Sequence, residues 1–190
     1  MGSLVETISA ALAAVGPATE ARLRELLAEF DELNLGDEER LSALATTIAA
    51  AAATHHRRHA PVYLEAVKSW ALEIAGALEP APPRLAGVPV GGPVEEGAEL
   101  LIAGLDQLID AMTQTEVGVQ DRLVTELAVV ARLLGQYDAN AIHMTLMTVG
   151  SSLADPLYRP GELVQVPLRE TTQPLSRDAR LEGLVPRGVA

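Results

Sequence analysis

The chain is 190 residues long, 48% hydrophobic but only 3% aromatic, without cysteine, and carries a formal net charge of −12. The lack of cysteine excludes disulfides, thiolate nucleophiles and Cys-ligated metal or iron–sulfur sites. The acidic balance speaks against nucleic acid as the main partner, because phosphate binding needs a basic surface. With one Phe, one Trp and three Tyr, the interior must be filled by Ala, Leu, Val and Ile, which suits close helix packing.

Taken in chain order, Ser3-Leu4-Val5-Glu6 has the spacing of a capping box and opens a helix running to about Val15, ended by Gly16-Pro17. The same start lacks the cationic region of a signal peptide, which predicts a cytoplasmic protein, or one assembled there. Pro17 suits the first position of a second helix, with Leu23, Leu26, Leu27, Phe30 and Leu33 on its inner face; Gly36 is expected to close it. Asp37 is the expected cap of a third helix carrying Leu41, Leu44, Ala45, Ile48 and Ala52 inward. Its alanine run, Ala49 to Ala53, predicts close approach of another helix. The uncharged apolar stretch from Leu41 to Thr54 is too short and too alanine-rich for a bilayer span of about 20 residues. Pro61 breaks or kinks the chain, and a fourth helix follows with Val67, Trp70, Ala71, Ile74 and Leu78 on one face.

Between 79 and 93 the texture changes to five prolines and three glycines, the composition of a stiff, extended connector. A fifth helix spans about Val94 to Met112, with Leu101, Leu105, Leu108 and Met112 inward. Thr113 and Glu116 have capping-box spacing and predict a break, although nothing between the fifth and sixth helices forbids one continuous rod. The sixth places Val119, Leu123, Leu127, Val130 and Leu134 inward and ends at Gly135. A last helix, capped by Asp138 or Asn140, holds Ile142, Leu146 and Val149 and ends near Asp155-Pro156.

Beyond Pro156 no helical period persists. Glu162 to Val166 is a candidate edge strand bounded by Pro160-Gly161 and Pro167, and Asp178 to Leu184 a candidate helical turn. The rest of this stretch is too poor in apolar residues to make its own core. Leu184-Val185-Pro186-Arg187-Gly188 matches a thrombin cleavage sequence and carries no functional weight. The fold expected is therefore all-α: a six- or seven-helix bundle in two lobes, 1–78 and 94–155, joined by the 79–93 connector, with an extended Pro/Arg-containing C-terminal arm at 156–190.

Charge is unevenly distributed along this plan. Residues 1–39 sum to −7, 40–84 to +2, 85–155 to −8 and 156–190 to +1. Two acidic helical blocks thus accompany an arm studded with Arg159, Arg169, Arg177, Arg180 and Arg187. An extended segment unable to fold alone suits a docking strap whose guanidinium groups pair with carboxylates on its own body or on a neighbour. The competing expectation is a solvated tail. The partner-binding residues expected in the arm are Arg159, Arg169, Arg177 and Arg180, with the apolar Leu163, Val164 and Val166.

The candidates for chemistry are thin. His55 and His59, one turn apart on a helix, form half a metal site, but no carboxylate lies within a turn and Arg57 and Arg58 would repel a cation. A cationic turn at a helix C-terminus explains them better. Glu95 with Glu99, and Asp106 with Asp110, recur at helical spacing, yet the Glu-x-x-His partner motif of di-metal bundles is missing, so a solvated face is expected. His143 is expected at the boundary of its helix. Phosphate-binding glycine loops and Gly-x-Ser-x-Gly elbows are absent from the sequence.

These features predict no cofactor and no enzymatic activity, but a structural or assembly subunit that homo-oligomerises or docks into a larger complex through its body and arm. Its partners would be proteins, with neither nucleic acid nor membrane involved. In general plan, though in no motif, the chain looks like the helical connector and adaptor proteins of tailed-phage particles, which set helical bodies in a ring and extend arms to neighbours. That resemblance would place it in a virion. The competing expectation is a helical module that binds a small ligand or a protein partner.

Overall fold

The computed structural model describes residues 17–77, 93–114 and 118–167. Among the described residues six helices are present: α1 (Pro17–Glu32), α2 (Asp37–Thr54), α3 (Ala60–Ala77), α4 (Pro93–Gln114), α5 (Val119–Leu134) and α6 (Ala139–Ala154). No strand occurs among the described residues. The expected helix at 3–15, the connector up to residue 92 and the tail from residue 168 lie outside them.

The order of packing follows from α2. Leu41 to Ala52 is buried at every position, so this helix has no solvent face. It is the axis of the bundle, in contact with α3, α4, α5 and α6; α1 lies on α4, and α3 lies on α5 and α6. The alanine run allows this, since small side chains let several neighbours approach one backbone. Helices from both sides of the connector contribute to one contiguous core. The division at 79–93 is thus one of sequence, not of space, among the described helices. None of these helices is long and apolar enough to cross a membrane.

Several boundaries differ from the sequence reading. α1 is closed by Asn34 in the left-handed conformation (φ 51°), not by Gly36. Gly36 is instead the cap residue of α2, and its amide donates to Glu39 Oε2 at 2.9 Å. Asp37 therefore opens the first turn, where Asp37, Glu38 and Glu39 complement the helix dipole. Pro61 falls in the first turn of α3, where an amide hydrogen is not needed, so the break lies at 55–59. Thr113 is helical and caps nothing: its hydroxyl donates to the Ile109 carbonyl and accepts from Arg122 of α5 at 2.5 Å. Because α4 and α5 pack against each other, they are not one rod. Val119 and Leu123, expected inward, are 73% and 37% exposed; only Leu127, Val130 and Leu134 of that row reach the core. Asp138 is the cap of α6, with Oδ1 accepting from the Ala141 amide at 2.8 Å.

Two glycines set the closest approach. A Cβ at Gly104 would lie 2.4 Å from Leu26 Cδ1, and one at Gly97 would lie 2.8 Å from Leu35 Cδ1. Both sit on the buried face of α4, and α1 with its trailing Leu35 settles into the notches they leave.

Candidate interaction surface

After α6 the chain reverses twice. Asp155 Oδ1 accepts from the Leu157 amide, and the Tyr158 amide donates to the Asp155 carbonyl. Then Arg159-Pro160-Gly161-Glu162 forms a β-turn closed by the Glu162 amide on the Arg159 carbonyl at 3.0 Å. Gly161 has φ +87°, the value that the third position of a type II turn demands, with proline before it. These turns deliver 162–167 along α2.

The segment is extended, as the alternation predicts, but it pairs with a helix instead of a sheet. The Val164 amide donates to Thr46 Oγ1 at 2.9 Å and the Val166 amide to Ser42 Oγ at 3.0 Å. Two residues of extended chain advance about 6.6 Å, and four residues of helix advance about 6 Å, so hydroxyls one turn apart meet alternate amides. Val164 and Val166 are 2% and 1% exposed, while Gln165 between them faces water. The helix keeps its own bonding satisfied, because Thr46 Oγ1 also donates to the Ser42 carbonyl at 2.8 Å.

Of the arm residues singled out by sequence, Val164 and Val166 are buried against the body of their own chain and Leu163 is half-buried. Arg159 is exposed. Arg169, Arg177 and Arg180 lie outside the described residues. The support that the arm needs is thus supplied, over 162–167, by α2 of the same molecule. Ser42 and Thr46 were not legible as recognition groups. Their signal in the sequence is two hydroxyls one turn apart in an uncharged helix stretch, Leu41 to Ala53, where Thr47 is the one other polar side chain.

Beside the docked segment runs an open groove between α2 and α4. One part, of about 440 Å³, is lined by Ala50, Thr54, His55, Ile102, Asp106 and Glu126 with others; it continues past Pro160 and Gly161 towards Glu95 and Glu99. The paired acids Glu95 with Glu99, and Asp106 with Asp110, are all exposed on α4, as their spacing predicts.

The histidine cluster is not helical. α2 ends at Thr54, and His55 caps it with its amide on the Ala51 carbonyl. His55 Nε2 lies 3.4 Å from Asp106 Oδ1, His56 Nε2 lies 3.1 Å from Glu126 Oε1, and His59 is exposed. His55 and His59 therefore do not share a helix face. No group of three or more His, Asp or Glu able to hold a metal occurs among the described residues. His143 is exposed.

The Glu126 carboxylate is 4% exposed and reaches His56, whose ring stacks on Tyr63 at 4.3 Å between centroids. The Tyr63 hydroxyl is buried and has no hydrogen-bond partner among the described residues. Burial first, and then the Glu126 charge, pushes its pKa well above the ordinary value. The trio pins the α2–α3 turn to α5; it was not foreseen, because nothing in the sequence pairs residue 56 with residue 126.

In comparison with known proteins, no family model matches the chain, and no curated protein and no solved structure is significantly similar to it.

Proposed function

We propose that this protein is a non-enzymatic structural or assembly subunit, which homo-oligomerises or docks into a larger protein complex through its helical body and C-terminal arm. The observation that carries this reading is the recognition of 162–167 through its backbone. A helix whose buried hydroxyls accept amides from an extended segment holds that segment by its main chain, as strand addition at a sheet edge does between proteins. Arms of this kind lead onward: the arginines of 168–190 follow directly, and the body they would meet on a neighbour is acidic, with ten acids against two arginines over 85–155. Val62, Val119, Met147 and Leu157, each more than 60% exposed, add apolar surface for contacts. The partners in this reading are proteins, copies of itself or neighbouring subunits, not nucleic acid or membrane. It is a cytoplasmic protein, or a connector or adaptor of a phage particle.

The second reading, a module for a small ligand, is favoured by the open α2–α4 groove, although among the described residues no Phe, Trp or Tyr lines it. The test compares the wild-type chain with a full-length variant carrying Val164→Asp and Val166→Asp. The assembly reading expects a multimer that becomes lighter in the variant while far-ultraviolet circular dichroism stays helical. Equal mass for the two chains would overturn it.

A further inference from the structure

We infer that the 162–167 segment is exchanged between copies, so that the partner covering the Ser42–Thr46 face of α2 is the segment of a second copy of this chain. The inference rests on the assembly reading and names its partner.

The recognition is by main chain and two valines, and the same segment on another copy would make every one of these contacts unchanged. The closed arrangement itself shows that the face and the segment fit. The hinge is suited to opening. Residues 155–157 and 159–162 are exposed, and the hydrogen bonds across the two turns are local, made within three residues. Pro156 and Pro160 restrict the hinge, as in many exchanging proteins, where an extended hinge relieves a tight reversal. The six residues from 156 to 161 can span about 20 Å when extended, enough to cross to an adjacent molecule. Leu157, at 81% exposure the most exposed large apolar side chain described, sits inside this hinge, where two crossing hinges in an exchanged pair would cover each other.

Leaving the face also strands few polar groups. Thr46 Oγ1 retains its bond to the Ser42 carbonyl, and the freed amides of Val164 and Val166 are taken up by water. Opening therefore exposes two valines and leaves no buried orphan on the helix.

Two complementary full-length variants test this. One, Ser42→Ala with Thr46→Val, keeps a sound segment but has a face without acceptors. The other, Val164→Asp with Val166→Asp, keeps a sound face but has a segment that cannot be buried. Exchange predicts that each alone loses the wild-type multimer and that mixing restores a species containing one chain of each kind, seen by native mass spectrometry. A mixture that behaves as the sum of its parts overturns the exchange; the assembly reading survives that result if the wild type is still a multimer. Should the aspartates unfold the chain, an equal mixture of isotope-labelled and unlabelled wild-type protein replaces them. Intermolecular nuclear Overhauser effects from the Val164 and Val166 methyls to α2 side chains are expected, and a multimer that lacks them overturns the exchange.

Discussion

Thr46→Val isolates the docking bond with little change of shape. Valine matches threonine in volume and branching, so the change leaves no cavity; it removes the acceptor of the Val164 amide and the back-bond to the Ser42 carbonyl. A buried amide left without an acceptor costs about 1–3 kcal/mol. The segment is poised to respond. It is held locally, by two valines and two amide bonds, so a loss at one of them acts on docking alone. Losing about 2 kcal/mol then shifts the docking equilibrium about 30-fold towards the open form. Amide hydrogen exchange reads this directly: protection at Val164 and Val166 should fall by that factor, while amides in the middle of α2 and α6 keep theirs. Unchanged exchange at 164 and 166, or a loss spread evenly over the chain, would refute the account of how the segment is held.

Other outcomes follow from the same geometry. All three tyrosines are shifted upward by burial, Tyr63 strongly, Tyr137 to about 12 and Tyr158 less, so the phenolate absorbance of the folded protein should rise only above the usual midpoint of 10. Because the fold favours the neutral phenols, stability is intact below pH 10 and declines as pH climbs towards 12; Tyr137 alone accounts for about 3 kcal/mol, and melting at stepped alkaline pH checks it. A normal tyrosine titration of the native protein would contradict this burial. His56→Ala strips the buried Glu126 of its partner and Tyr63 of its stack, and should lower stability by about 3 kcal/mol in urea unfolding. Glu126→Gln, which can still hydrogen-bond His56, should cost less. Gly104→Ala drives a methyl into Leu26; even after the gain in helix propensity it should cost about 1–2 kcal/mol, read as a lower melting temperature.

The helices were legible because the apolar positions repeat at helical spacing and proline, glycine and Asp138 punctuate them. Where that period misled, the cause was an end effect. Val119 and Leu123 continue the stripe of α5, but they lie in its first turns and are exposed, so the periodic face runs past the edge of the core. Gly36 was the expected end of α1, but Asn34 can end a helix as well, and its positive φ shows that it does. The alanine run announced close packing, but not that every face of α2 would be covered. The interaction surface was half legible. Alternation and flanking prolines gave the extended 162–166 segment, whereas the helical hydroxyls that receive it lie more than a hundred residues earlier. Pairings far apart in the chain, such as His56 with Glu126 at 70 residues and Val164 with Thr46 at 118, leave no local trace in one sequence.

The central claim is that a helical body and its strap-like arm serve assembly. Sedimentation equilibrium of the wild-type chain over a wide range of concentrations, at low and moderate salt, bears on it most directly. A discrete multimer whose mass returns to that of one chain when Val164 and Val166 are replaced by aspartate is the predicted result. A particle of one chain's mass, 20.0 kDa, at every concentration and salt, unaffected by those replacements, would contradict it.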